Sequence, residues 1–241
     1  MIFAAGLGSR LRPLTNHVPK ALVKINGKTL LEHAIGYLQH YAIYDVIVNI
    51  HHFAPVMERT IIENKGFGSR ITISDEREEV LETGGGLKKA AHFFAGEQDF
   101  VVINVDVLTN LHLSDMITAH RRSGALGTLA VMNRPSSRHL LFNPQMQLCG
   151  WINNGTGERR IARPDTQVAP FAFSGIQVLS TDVLRQIPFN GKFSLIDLYL
   201  HLAATQNIIG FNHTGDLFLD VGKPESIEKA EELFLEARRR G

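Results

Sequence analysis

Cysteine is almost missing from this sequence: Cys149 stands alone, so no disulfide can form within the chain. No signal peptide opens it and no apolar run is long enough to span a bilayer, so a cytoplasmic address without membrane contact is expected. Neither sign of charge dominates. The 25 basic and 24 acidic residues leave a formal charge of +1, which supplies no polyanion-binding surface, and nucleic acid is not an expected partner. Repeats, low-complexity stretches and linkers are also lacking, which argues for one domain over residues 1–241.

What is present is an ordinary globular composition, 44% hydrophobic and 20% charged, which predicts a packed core. Through the first half, short Val- and Ile-rich runs alternate with amphipathic segments, the pattern of strands linked by helices. Strands are expected near residues 2–4, 45–50, 71–74, 100–104 and 127–131, with helices near 29–40, 54–64, 84–94 and 113–122. Leu30, Leu31, Ala34, Ile35 and Leu38 share one face of the first helix. From about Asn133 turn chemistry takes over, in Arg134-Pro135-Ser136-Ser137, Asn143-Pro144 and Asn153-Asn154-Gly155-Thr156-Gly157, around short strands near 147–152 and 159–162. Alternation then resumes with a strand near 172–179, helices near 181–186 and 195–204, and strands near 208–211 and 217–220. A charged helix over 224–240 closes the chain, its Arg238-Arg239-Arg240 run suited to a helix C-terminus. The fold class that follows is α/β: a doubly wound, mostly parallel sheet with a small antiparallel insertion. Met1-Ile2-Phe3-Ala4-Ala5 is strand-like from its first residue, so a few residues are expected to have been lost ahead of it.

The first strand runs straight into Gly6-Leu7-Gly8-Ser9-Arg10-Leu11-Arg12-Pro13-Leu14-Thr15, followed by Pro19-Lys20. Glycines after a strand let backbone N–H groups approach phosphates, and Arg and Lys add fixed positive charge against them. The spacing excludes two commoner loops. A dinucleotide fingerprint needs a third glycine where Leu11 stands, and a Walker loop needs Gly-Lys-Ser/Thr, which is absent. Asp106 and Asp220 each follow a short apolar run read as a strand, and ligands of open α/β sheets bind beyond strand carboxyl ends. Two such carboxylates can hold a hard cation, and with a triphosphate that cation would be Mg²⁺; on this segment alone Asp106 reads equally as a turn cap. Thr83-Gly84-Gly85-Gly86 leads into a helical pattern, so its N–H groups could point at a ligand and its missing side chains could admit a flat base, or it is a turn ahead of a capped helix. The eleven histidines show no metal-ligand spacing, and Cys149 beside Gly150 and Trp151 reads as a packed residue.

The glycine segment resembles the N-terminal motif of the nucleotidyltransferases that activate sugar 1-phosphates, whose pattern is Gly-x-Gly-x-Arg-Leu-x-Pro-Leu-Thr, three variable residues and Pro-Lys. The likeness continues at Glu82-Thr83-Gly84-Gly85-Gly86, Asn104-Val105-Asp106-Val107 and Phe218-Leu219-Asp220-Val221-Gly222-Lys223-Pro224-Glu225, and so spans residues 1 to about 235. Glu82-Thr83-Gly84-Gly85-Gly86 and Phe173-Ser174-Gly175-Ile176 are similar to N-acetylmuramate 1-phosphate uridylyltransferases, with mannose and heptose 1-phosphate guanylyltransferases close behind.

The resemblance implies a Rossmann-like nucleotidyltransferase fold, with residues 1–132 as the nucleotide-binding half and 133–241 as the sugar-binding half, insertion and C-terminal helix. It implies Mg²⁺-dependent joining of a nucleoside triphosphate to a sugar 1-phosphate, with release of pyrophosphate. On that reading Ala5, Gly6, Gly8, Ser9, Arg10, Gly84 and Gly85 bind the nucleotide, Gly85 lying against the base. Arg10 and Lys20 are the catalytic cations, Arg10 on the leaving phosphates. Lys20, Arg163, Ser174 and Gly175 take the sugar phosphate, and Asp106 and Asp220, delivered by neighbouring parallel strands, hold Mg²⁺. UTP with an amino-sugar or related hexose 1-phosphate is the expected pair, guanylyl transfer to mannose or heptose 1-phosphate the alternative, and the protein a monomer or homodimer.

Three departures from the family pattern bear on the sugar and on control. Val105 replaces the glycine that usually precedes the metal aspartate, and Ala162-Arg163-Pro164 stands where many relatives carry Glu-Lys-Pro. No left-handed β-helix follows, so allosteric control through such a domain is not expected. The rival from another class is a non-catalytic subunit that binds a nucleotide sugar; it would have lost Arg10, Lys20, Asp106 or Asp220, and all four are present.

Overall fold

The computed structural model describes the backbone of residues 1–240 and the side chains of 1–232; the Arg238-Arg239-Arg240 side chains, and the reading made of them, lie outside the described residues. The first eighty residues hold β1 (Ile2–Phe3), β2 (Lys24–Ile25), β3 (Lys28–Thr29), α1 (Leu30–His40), β4 (Asp45–Ile50), α2 (Ala54–Glu63) and β5 (Arg70–Asp75). Next come α3 (Glu82–Lys89), β6 (Asp99–Asn104), β7 (Val107–Thr109), α4 (Leu113–Ser123) and β8 (Gly127–Met132). The strands β9 (Arg138–Phe142), β10 (Leu148–Asn153), β11 (Arg159–Ile161) and β12 (Ala169–Ser180) precede α5 (Asp182–Arg185) and α6 (Leu195–Ala203). The chain closes with β13 (Ile208–Asn212), β14 (Phe218–Asp220) and α7 (Pro224–Arg240). These elements group into two compact units: Met1–Val80, Ile103–Asn110 and the chain from Leu217 form one, Leu81–Val102 and Leu111–Asp216 the other.

In the first unit β5, β4, β1 and the end of β6 lie parallel in that order, with Ile2 opposite both Val48 and Ile103. Five of the six residues of β4 are buried, as expected of a parallel strand covered on both faces. The five apolar residues of α1 named above are all buried, and Thr29 caps the helix by accepting the Glu32 N–H at 3.1 Å. β2 and β3 form a ribbon turned at Asn26 and Gly27, whose φ values of 49° and 82° suit an Asn-Gly hairpin turn. β7 and β14 pair antiparallel, Asp220 opposite Val107.

The second unit is built on β12, antiparallel to β8 on one side and to β9 on the other, with β10 and β11 continuing antiparallel beyond β9. β13 runs parallel to β8, Ile208 opposite Gly127. Helices between parallel strands together with an antiparallel section are the α/β architecture and the insertion that the sequence led us to expect. The helix expected over 84–94 instead begins at Glu82, stops at Lys89 and continues as a 3₁₀ turn at Ala91–Phe94.

Candidate active site

The glycine loop starts where β1 ends, and a side chain from the neighbouring strand sets its first step. Asn49, 2% exposed near the end of β4, accepts the N–H groups of Ala4 and Ala5 on Oδ1 at 2.6 and 3.3 Å, and its Nδ2 donates to Glu76 Oε1 at 2.8 Å. The loop then winds through short 3₁₀ turns at Ser9–Leu11, Leu14–Asn16 and Lys20–Leu22, with Leu11 fully buried as its anchor. Gly6, Ser9 and Arg10 are left exposed. Gly8 has to be glycine on two counts: its φ is +63°, and a Cβ there would come within 3.0 Å of Lys20 Cβ and Thr15 Cγ2. Thr15, 3% exposed, donates its hydroxyl to the Gly8 carbonyl at 2.8 Å, so Gly8, Thr15 and Lys20 pack as one piece.

Lys20 in turn donates to Asp106 Oδ2, and both side chains are largely buried, so this is a charge-assisted pair shielded from bulk water. Asp106 sits in the turn between β6 and β7, and its carbonyl accepts the Val221 N–H at 2.9 Å. That bond and the β7–β14 ladder bring the backbone of Asp220 beside that of Asp106. The two residues are therefore neighbours as expected, but through an antiparallel pair; the expectation of parallel strands is overturned, because the strand that meets β14 is β7, which begins after a two-residue turn beyond β6 and pairs with β14 antiparallel. Gly222 completes the corner. A Cβ on it would lie 2.7 Å from Asp220 Oδ1 and 3.3 Å from Arg10 Nη2, so the carboxylate and the guanidinium flank the same backbone position. Arg10, Lys20, Asp106 and Asp220 are thus gathered in one unit.

The donor set suits a hard divalent cation. Two carboxylates, one in the turn ahead of β7 and one at the end of β14, are few for an all-protein cage, and no group of three or more His, Cys, Asp or Glu placed to hold a metal ion occurs among the described residues. Mg²⁺ is bound in that way, by one or two carboxylates with phosphate oxygens and water completing its shell.

In the other unit Gly84 and Gly85 lie inside α3, and both N–H groups donate to the Phe193 carbonyl, at 2.9 and 3.3 Å. The expectation that these N–H groups would turn to a ligand is overturned for the two. A Cβ at Gly84 would fall 2.3 Å from the Phe193 ring, and one at Gly85 would fall 2.3 Å from the Gly191 carbonyl, so close packing demands glycine at both. Arg163 donates from Nε and Nη2 to the Ala203 and Gln206 carbonyls at 3.2 and 3.0 Å, placing its charge at the C-terminal end of α6. Ser174 is 1% exposed, its hydroxyl 2.8 Å from His213 Nε2, and Gly175 beside it has φ +72°. Burial pushes the Cys149 thiol pKa up and His213 down, so neither is the charged form at neutral pH.

Thr15, Asn49, Gly222 and His213 were not among the residues picked out from the sequence. Thr15 and Gly222 stood inside motifs already quoted, and their fixed places there were the available signal. Asn49 and His213 act across the fold and left none.

The family model described as "Nucleotidyl transferase" matches residues 1–237. The chain belongs to the nucleotidyl transferase family. N-acetylmuramate alpha-1-phosphate uridylyltransferase of Caulobacter vibrioides is 33% identical over 244 residues, covering 98% of this chain and 97% of that protein. Mannose-1-phosphate guanyltransferase beta-B of Xenopus laevis is 27% identical over 243 residues; the match covers 99% of this nucleotidyltransferase and 65% of that longer protein. The crystal structure of HddC from Yersinia pseudotuberculosis complexed with GMP-PN superposes with a TM-score of 0.77 over 97% of each chain at 24% identity, a likeness of fold. No helix among the described residues is long and apolar enough to cross a membrane.

Proposed function

We propose that this nucleotidyltransferase joins UTP to an amino-sugar or related hexose 1-phosphate, giving a uridine-diphosphate sugar and pyrophosphate with Mg²⁺ as cofactor. The observation that carries the reading is the cluster in the first unit, where an exposed glycine loop, Arg10, Lys20 and the two aspartates are held together by Thr15, Gly8 and Gly222. An oxygen of the sugar phosphate attacks the α-phosphorus in line; the new P–O bond forms as the bond to the β-phosphate oxygen breaks, and pyrophosphate leaves with that electron pair. This reaction needs positioning and charge neutralisation, with no covalent intermediate on the protein. Arg10 holds the β- and γ-phosphates as negative charge builds on them, and Lys20 bridges the α-phosphate or the incoming phosphate and Asp106. Mg²⁺ bound by Asp106 and Asp220 would neutralise phosphate oxygens.

In the second unit Gly85, and Gly84 beside it, serve the base, while Ser174 and Gly175 serve the sugar phosphate, with Arg163 contributing N–H groups that α6 does not use. Uridine is favoured over guanosine by the 33% identity to a uridylyltransferase, which runs nearly the full length of both proteins, against 27% for the guanyltransferase. We further propose a cytoplasmic enzyme. Pyrophosphate release measured over a panel of triphosphates crossed with a panel of sugar 1-phosphates tests the reading: UTP with a hexosamine-type 1-phosphate should give the highest specificity constant. A higher constant for GTP moves the protein to the guanylyltransferase branch, and a protein that binds nucleotide sugars but releases no pyrophosphate with any pair is a binding subunit.

A further inference from the structure

Strand β12 carries an irregularity against β8: from the Phe173–Val131 pair to the Gln177–Leu129 pair β12 advances four residues while β8 advances two. The extra residues form a bulge containing Ser174 and Gly175, and the +72° φ of Gly175 makes its turn. Bulges of this kind re-aim side chains next to active sites, but the ladder that would fix a regular strand is interrupted there. Here side chains replace the missing ladder bonds. Arg134 Nη2 donates to the Phe173 carbonyl at 3.0 Å, and the buried His213 lies with Nε2 2.8 Å from Ser174 Oγ. Asp216 Oδ2 is 3.4 Å from His213 Nδ1, which favours the tautomer with its proton on Nδ1 and leaves Nε2 to accept the Ser174 hydroxyl. The Ser174 oxygen is then an acceptor only, with its hydroxyl direction fixed.

We infer that His213, oriented by Asp216, is a positioning residue that locks the β12 bulge and thereby presents Ser174 and Gly175 to the sugar 1-phosphate. This rests on the proposed function, which assigns those two residues to that substrate. The fold supplies its own control. His120 is tied in the same way, Nδ1 2.8 Å from Thr128 Oγ1 and Nε2 3.4 Å from Asp99 Oδ1, but Thr128 sits in the regular part of β8, in register with Val178 and Ile209. His120 therefore reports what losing a buried histidine of this kind does to stability alone.

The experiment measures KM separately for the sugar 1-phosphate and the triphosphate, with melting curves, for the wild type, His213→Ala, His213→Gln, Ser174→Ala and His120→Ala. His213→Ala should raise the sugar 1-phosphate KM roughly tenfold, the size of one lost hydrogen bond, with the triphosphate KM within about twofold. His213→Gln, which returns an acceptor near the Nε2 position, should recover most of that loss. His120→Ala should melt earlier with both KM values unchanged. If His213→Ala does not fold, Ser174→Ala removes the same tether with little change in volume and should show the same selective rise. Equal changes in both KM values, or a sugar KM that stays at the wild-type value in folded His213→Ala or Ser174→Ala, would overturn the inference. A wild type that releases no pyrophosphate with any substrate pair overturns the proposed function, and this inference with it; an active wild type without the KM split overturns the inference alone.

Discussion

Replacing Gly222 by alanine separates room for a carboxylate from every other use of a glycine. Its φ lies outside the left-handed region, so alanine can adopt the backbone without strain. Removing glycine's freedom from the unfolded chain stabilises by about 0.4–1 kcal/mol. Against that, the new Cβ meets Asp220 Oδ1 at 2.7 Å, and the carboxylate must withdraw to the 3.4 Å at which ordinary contact begins. Twisting a side chain off its rotamer by that amount costs about 0.5–1.5 kcal/mol. The two effects offset to within about 1 kcal/mol, so the melting temperature should move by no more than about 4 °C in a chain of this size. Turnover is another matter. A shift of several tenths of an ångström in a proposed metal ligand, with Arg10 Nη2 crowded at 3.3 Å as well, should lower kcat by about a hundredfold and raise the Mg²⁺ concentration for half-maximal rate. Pyrophosphate release titrated with Mg²⁺, alongside a thermal melt, reads both. A Gly222→Ala protein that melts normally, turns over within threefold of wild type and keeps its Mg²⁺ dependence would refute the placing of Asp220 in the reaction.

Lys20→Ala should remain folded and lose at least about a hundredfold in turnover, since a shielded charge-assisted phosphate contact is worth about 3 kcal/mol in the transition state; near-normal rates in the folded variant would remove Lys20 from the mechanism. Asp106→Asn and Asp220→Asn should each abolish most activity, with the double variant little worse than either, because residues serving one ion are non-additive. If the aspartates merely cap turns, each change instead lowers stability by about 1 kcal/mol and leaves turnover intact, which melts and Mg²⁺ titrations distinguish. Burial, the larger effect, holds the pKa values of His120 and His213 below the ordinary histidine value, while nearby Asp99 and Asp216 pull the other way. The unfolded chain therefore takes up protons near pH 6.5 that the folded protein refuses, so stability should be complete above that pH and fall as pH drops below it. Replacing either histidine by glutamine should flatten that part of the melting-temperature profile; an unchanged slope would contradict the assignment.

Much of the fold was legible because its signals are local. The run over 45–50 is apolar enough to be a covered parallel strand, and β4 occupies that span. The glycine loop was legible because Gly8 answers to a conformation and to close neighbours within a dozen residues. The β2–β3 ribbon had a local signal too, the Asn26-Gly27 pair, which went unread. β7 had none: three residues carry no period, and its pairing depends on β14, more than a hundred positions away. The same distance hid the engagement of the Gly84 and Gly85 N–H groups, since their acceptor is the carbonyl of Phe193. The two aspartates stood out in the sequence by their place after apolar runs, but the antiparallel geometry joining them is a property of that distant pairing.

The glycines of α3 also bear on how decayed relatives of such an enzyme can be told from active ones. Gly84 and Gly85 are held by Phe193 and Gly191 in the core of their own unit, so selection for folding alone retains them after catalysis has ceased. An intact Glu-Thr-Gly-Gly-Gly segment in a descendant thus certifies an intact fold and carries no information about turnover. Gly222 is under the opposite regime: alanine there is nearly neutral for folding but displaces the Asp220 carboxylate and crowds the Arg10 guanidinium, so it should drift early once activity is no longer selected. Substitution at 222, read beside an unchanged 84 and 85, would mark a pseudoenzyme before any of its charged residues had been replaced.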